Sequence, residues 1–312
     1  MVGLPPRADG SATPATDARQ IAQRIRRRVL TQVLAHGGGY LSQACSSAEI
    51  LATLYCRVMN LGPSIAPLVP PPFVAAPGPR NPEAASGAAY NGPRGEALDR
   101  FFFSPAHYAL VLYCTLVEVG RLGEQALADF NRDGSCLELI AAEHSPGIEA
   151  MPGSLPQALS QAVGVAYARR LRGERGRTWV FLSDGELQEG QIWEALAALS
   201  FHRLDSVGIF FDVNGLQCDG PMPEVMRVEP IVERLRAFGA EACEVDGHDV
   251  DALGAAAQTP HPGRPLCVVA RTDPCRGMEP LRARAAKLHY VRFKDEAERA
   301  PYRALLDGWG QG

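Results

Sequence analysis

Two short apolar runs, Trp179-Val180-Phe181-Leu182 and residues 207–211, separated by one helix-length segment, constrain this chain more than any other feature. Neither run alternates with polar residues. A strand that is apolar at every position needs cover on both faces, which is the condition of a parallel strand inside an α/β sheet. The pattern repeats further on. Helical spacing over 191–202, 231–238 and 250–257 alternates with strand-like runs at 242–245 and 266–270. The expectation is an α/β fold, a doubly wound parallel sheet with helices on both faces. Upstream, Ile21, Ile25, Val29, Val33 and Leu34 recur at helical spacing, and His36-Gly37-Gly38-Gly39 ends that helix. Segments 49–59, 110–119 and 154–171 also read as helices. The last is rich in small residues (Ala158, Ser160, Ala162, Gly164, Ala166, Ala168), which would let another backbone approach closely.

The organisation expected is a Pro-, Ala-, Thr- and Gly-rich flexible tail over 1–17, one domain over 18–290, and a charged C-terminal tail over 291–312. A Pro-rich insertion over 62–95 interrupts the domain, with eight prolines between Pro63 and Pro82. Prolines cannot supply N–H groups to a helix or ladder, so this segment reads as an extended surface excursion, an inert variable insertion ahead of a segment that docks a partner. The 31 Lys+Arg against 35 Asp+Glu leave a formal charge of −4, which argues against a nucleic-acid groove. The Arg-rich stretch 24–28 therefore reads as a solvated helix face. No stretch approaches the ~20 apolar residues needed to span a bilayer. The N-terminal residues lack the basic start and apolar run of a secretory signal. Eight cysteines are scattered without a CxxC pair, as expected of reduced thiols in the cytoplasm.

Chemistry concentrates between Trp179 and Gly220. The first strand ends at Ser183-Asp184-Gly185, a helix crosses over, and the second strand ends at Asp212-Val213-Asn214-Gly215. A right-handed crossover puts both strand ends on one edge of the sheet, so Asp184 and Asn214 converge where open α/β sheets bind ligands. A carboxylate, an amide oxygen and a main-chain carbonyl are hard donors suited to Mg²⁺, which keeps phosphate oxygens or water as further ligands. Gly185 would let the backbone approach a phosphate. Asp-Gly and Asn-Gly are also ordinary turn dipeptides, so a pair of plain strand-ending turns stays open on these residues alone.

The same stretch resembles the diphosphate-binding domain of thiamine-diphosphate enzymes, transketolase above all. Other segments match the family in the same order: Asp99-Arg100-Phe101 through Ser104-Pro105-Ala106-His107, Pro146-Gly147-Ile148-Glu149, Pro152-Gly153-Ser154-Leu155, and Glu224-Val225-Met226 through Val245-Asp246-Gly247-His248-Asp249. The resemblance covers roughly residues 18–290. It implies that Asp184, Asn214 and the main-chain carbonyl of Leu216 hold Mg²⁺. It implies that Gly185 and His107 contact the diphosphate of thiamine diphosphate, with His107 the catalytic assignment. Gly153 and Leu155 would line the thiamine, with Ser154 between them in the cofactor-binding set. Glu189 would match a glutamate in the acidic network that joins two active sites across the dimer.

Transketolases continue into a pyrimidine-binding domain. The resemblance therefore implies that this chain is the N-terminal subunit of a split enzyme, a heterotetramer with a second polypeptide. That enzyme would transfer a two-carbon ketol or acyl unit from a ketose or keto acid in specialised metabolism. The helix over 154–171 and the apolar face near Trp193 are the expected contact surfaces. The chain also departs from the family pattern. Ser183 replaces the first glycine of Gly-Asp-Gly, and Tyr40 stands at a family histidine. His144 lies near another histidine position but out of register. Pro274-Cys275-Arg276-Gly277-Met278 replaces a glycine-lysine-glycine segment, and Pro156 and Ala158 replace two glycines. These changes point away from the ordinary sugar phosphates. Two alternatives are the alpha subunit of a keto-acid dehydrogenase and a catalytically degenerate, cofactor-holding or regulatory chain. A pure interaction module would rest on the Pro-rich insertion alone. Cys218 reads as a filler beside the metal position, His248 as a loop cap, and His289 as structural.

Overall fold

The computed structural model describes residues 17–75, 79, 81, 86–285 and 287–309. The expected tail over 1–17, save Asp17, lies outside the described residues, as do parts of the Pro-rich insertion and the last three residues.

In chain order the elements are α1 (Ala18–Ala35), β1 (Gly38–Gly39), α2 (Ser42–Thr53), β2 (Arg100–Phe103), α3 (Ala109–Glu118), α4 (Gln157–Leu171), β3 (Thr178–Ser183), α5 (Gly190–Phe201), β4 (Val207–Val213), β5 (Leu216–Gln217), β6 (Gly220–Pro221), α6 (Met222–Val225), α7 (Ile231–Ala237), β7 (Glu241–Asp246), α8 (Val250–Ala256), β8 (Leu266–Arg271), β9 (Val291–Arg292) and α9 (Glu296–Gly308). Five strands form one sheet in the order β2-β3-β4-β8-β7, every pair parallel. Strand residues alternate between two apolar layers. Trp179, Phe181, Phe210 and Val268 face α1, α2, α3 and α8. Val180, Leu182, Ile209, Phe211 and Val269 face α4, α5 and α7. This is the α/β sheet with helices on both faces that the apolar runs demand.

Local differences have physical reasons. Helix α2 begins at Ser42, not near residue 49, and closes in one π turn over Leu54–Val58. Every residue of α2 is buried, so its first half shows no amphipathic period to read. Helix α4 starts at Gln157 because the residue before a proline avoids the helical region, and Pro156 stands at the cap. β2 is a strand that the sequence pattern does not announce; its three consecutive phenylalanines pair along the edge of β3.

The Pro-rich segment is only partly an excursion. Ile65, Leu68 and Val74 are exposed, but a 3₁₀ turn over Gly87–Asn91 turns inward. Tyr55 donates its hydroxyl to Asn91 Oδ1 at 2.8 Å, and Asn91 Nδ2 donates to the Gly147 carbonyl at 2.9 Å. In place of the expected charged C-terminal tail, β9 pairs antiparallel with β1 and α9 packs on α1. Gly38 has to be glycine here, since a Cβ would sit 2.5 Å from the Val291 carbonyl oxygen. Tyr302, Leu305, Leu306 and Trp309 put one apolar stripe of α9 on the core at 3- and 4-residue spacing, amid charged neighbours.

Candidate active site at the carboxyl edge of the sheet

Three neighbouring strands deliver side chains to one place. β2 runs into the turn that carries His107 and Tyr108, β3 into Asp184 and Gly185, and β4 into Asn214. Ser183 pairs in register with Asp212, so the residues after them emerge side by side. The Gly215 N–H donates to Asp184 Oδ2 at 2.8 Å, which ties the end of β4 to the carboxylate after β3. Asn214 Oδ1 accepts from the Leu216 N–H at 2.9 Å, a local turn that bends the chain back over the strand ends.

A cleft of about 390 Å³ opens here. It is lined from the α2 end by Tyr40, Ser42 and Gln43, from β2 by His107 and Tyr108, from β3 by Asp184, Gly185 and Gln188, and from the β4 side by Asn214, Leu216, Cys218 and Asp219. Leu155, Pro274 and His289 also border it. No lysine or arginine is among its described lining residues.

The expected site residues divide. His107, Leu155, Asp184, Gly185, Asn214 and Leu216 are brought together in the lining. Gly153 and Ser154 are exposed and stand outside it, on the loop that precedes the start of α4. Glu189 is exposed and caps α5, also outside the lining. His144 is stacked on Phe73 with ring centroids 4.1 Å apart, away from the cleft. His289, read as structural, borders the cleft, 5.0 Å between ring centroids from His107. His248 does cap a loop: its Nδ1 lies 3.0 Å from Glu49 Oε2, and its Nε2 accepts from the Asp273 N–H at 2.8 Å.

The electrostatics are those of a site short of positive charge. Burial, reinforced by the nearby Asp212, pushes the Asp184 carboxyl up to about 8. Burial also raises Asp212, against the pull of its hydrogen bonds. Burial pushes Glu186 up to about 7, although Ser104 and Ser183 both donate to it. His107 is pushed down to about 3 by burial and by His289, so its imidazole is neutral near pH 7. The acids give a testable pH signature. Without metal, folded Asp184 keeps its proton to about pH 8, whereas an unfolded aspartate loses it near 4. The folded state therefore holds the extra proton across that window, and stability falls as pH rises from about 4 to about 8. Chelator-treated chain should melt lower at pH 8 than at pH 5, and Asp184→Asn should shrink the difference. An unchanged difference in that variant would show that Asp184 titrates normally.

Sequence reading missed Asp212 and Glu186. Asp212 is fully buried and takes hydrogen bonds from four side chains. The signal was available: an acid in an otherwise apolar strand has to serve some partner. Glu186 closes a capping box with Ser183, a pairing visible in the spacing of the two residues.

A parallel sheet with a cleft at its carboxyl edge defines an α/β domain of the ligand-binding kind. The family model described as "Transketolase, thiamine diphosphate binding domain" matches residues 90–296. The chain belongs to that family. It is 32% identical over 280 residues to a transketolase family protein, y4mO, of Sinorhizobium fredii, covering 88% of this chain and 90% of that one. It is 30% identical over 282 residues to one of the named subunits of the apulose-4-phosphate transketolase of Actinobacillus succinogenes, covering 89% of this chain and 92% of the relative. A solved transketolase of Pichia stipitis superposes with a TM-score of 0.70 at 23% identity, over 94% of this chain but 40% of that one. The chain thus spans nine-tenths of the two relatives and two-fifths of the solved enzyme. Among the described residues, no helix is long and apolar enough to cross a membrane.

Proposed function

We propose that this chain is the diphosphate- and magnesium-binding half of a two-component transketolase-like transferase, completed by a second polypeptide with a pyrimidine-binding domain. The observation that carries the proposal is the buried Asp184 carboxylate, hydrogen-bonded beside Asn214 at a strand edge with little positive charge of its own. Burial and the nearby Asp212 make its ionisation unfavourable unless a cation balances it, which supports a role as a cation ligand. Gly185 adds to the fit, because a Cβ there would meet nothing within 4 Å, which leaves room for phosphate oxygens.

On this reading Asp184, Asn214 and the Leu216 carbonyl would hold Mg²⁺ against the diphosphate. Neutral His107 would donate a hydrogen bond to the cofactor's phosphate side without adding charge. Leu155 would pack on the thiamine, with Gly153 and Ser154 on the loop beside it. Glu189, exposed at the start of α5, would face the second half of the assembly. Thiamine diphosphate, when bound, supplies the electron sink for making and breaking carbon–carbon bonds next to a carbonyl. The chain's own contribution would be to hold the cation that offsets the diphosphate charge, orient the cofactor and wall off water. Leu155 and Val225 are 36% and 40% exposed on the cleft lining, apolar surface that supports a covering partner. The relative from the apulose-4-phosphate enzyme is named as one subunit among others and is matched over nine-tenths of its length, which supports the same division of labour. The substrate fitting this reading is a ketose or α-keto acid of specialised metabolism, handled in the cytoplasm by a heterotetramer.

The test is reconstitution. The chain alone, with thiamine diphosphate and Mg²⁺, should show under about one hundredth of the ketol transfer of the chain mixed with its pyrimidine-domain partner, since half of the site would be missing. Full turnover by the chain alone would falsify the two-component reading. Tight cofactor binding by the pair, with no product from any ketose or keto acid, would favour the non-catalytic reading, which the Tyr40 and 274–278 departures support.

A further inference from the structure

Asn214 can serve a cation only through its oxygen, yet an amide can turn either end forward. Two neighbours decide which. The Leu216 N–H is a pure donor and lies 2.9 Å from Oδ1. Asp212 Oδ2 lies 3.3 Å from Nδ2. Asp212 is itself held from three distant parts of the chain. Ser46 Oγ on α2 donates to Oδ2 at 2.6 Å, the Tyr108 hydroxyl donates to the same oxygen at 3.0 Å, and Thr272 Oγ1 after β8 donates to Oδ1 at 2.5 Å. Tyr108 also accepts from Asn214 Nδ2 at 3.2 Å. Ser46, Tyr108 and Asn214 all reach the same oxygen, Oδ2, so the face of Asp212 turned to the amide is an acceptor face and takes the amide's nitrogen end.

We propose that Asp212 is a positioning residue that sets the polarity of the Asn214 amide, holding its nitrogen inward and leaving its oxygen for the cation. This rests on the metal reading above. Asp212 does not itself line the cleft. It acts through Asn214, as outer carboxylates commonly orient the ligands of a metal. An asparagine at 212 would fill the same space, but an Asn–Asn pair can be hydrogen-bonded in either sense, so the Leu216 N–H alone would be left to hold the direction.

The experiment uses the full chain with saturating thiamine diphosphate, Mn²⁺ as the probe ion, and electron paramagnetic resonance to count free Mn²⁺. Asp212→Asn should weaken Mn²⁺ binding about tenfold or more, in the range for removing a partner that orients a ligand. The exchanged variant, Asp212→Asn with Asn214→Asp, keeps total charge and reverses donor and acceptor. It should return to within about threefold of wild type, a rescue beyond the additive sum of its single changes. The inference is overturned by a normal affinity in Asp212→Asn or by an exchanged variant no better than its singles. Each of those leaves the metal reading intact if Asp184→Ala loses the ion. If Asp184→Ala keeps the ion, or the wild-type chain binds none, the metal reading itself fails.

Discussion

Asp184→Ala should abolish Mg²⁺-dependent binding of thiamine diphosphate, lowering affinity by well over about 100-fold, beyond the usual cost of losing a merely orienting partner. The reason is charge. Two phosphates would enter a cleft whose described lining carries two aspartates, Asp184 and Asp219, and no lysine or arginine. Without a divalent cation nothing in that lining balances the phosphate charge at low dielectric, and Asp184 is the buried carboxyl placed to hold one. The variant should fold, because removing a desolvated acid relieves a penalty more than it breaks a core. Calorimetric titration of thiamine diphosphate with and without Mg²⁺ reads the result. Unchanged affinity in the alanine variant means the cation, if any, sits elsewhere.

The largest expected loss of stability lies outside the cleft. Arg26 on α1 and Glu49 on α2 are 6% and 7% exposed, and Arg26 Nη1 donates to Glu49 Oε1 at 2.7 Å while Nη2 donates to Oε2. Arg26 also donates to the Cys45 carbonyl at 2.9 Å. Burial works against the Glu49 charge, but bonds from His248 and Arg26 hold its carboxyl below the ordinary glutamate range. Glu49→Ala would leave a guanidinium buried without its carboxylate, at a cost of about 3–5 kcal/mol. It would also free His248, whose other nitrogen holds the backbone of Asp273 beside the cleft residue Pro274. Thermal and urea denaturation should show a loss of that size, and weaker cofactor binding should accompany it in the protein that remains folded. A change below about 1 kcal/mol would mean that water reaches Arg26 when Glu49 is gone.

Legibility from the sequence followed the range of the interactions. The β3–α5–β4 unit could be read closely because strand burial and crossover hand are local consequences of pattern. Helix α2 is half hidden because a helix buried on every side carries no period. Helix α9 reads as a charged tail although Tyr302, Leu305, Leu306 and Trp309 have the right spacing; the charges between them outweigh the stripe. Gly153, Ser154 and Glu189 come from the resemblance and stand on exposed segments, where an assembly rather than this chain's own packing would have to bring them to a ligand.

By itself the sequence determined β3, β4, β7 and β8, the helices between them and the meeting of Asp184 with Asn214, because each depends on patterns within a few tens of residues. Only the tertiary structure decided what surrounds that pair. The donors that converge on Asp212 come from Ser46, Tyr108 and Thr272, which are 166, 104 and 60 positions away along the chain. The Arg26–Glu49–His248 chain likewise crosses three helical or loop segments. Hydrogen bonds act over about 3 Å in space and carry no trace of that separation in the local pattern of residues, so packing alone brings such partners together.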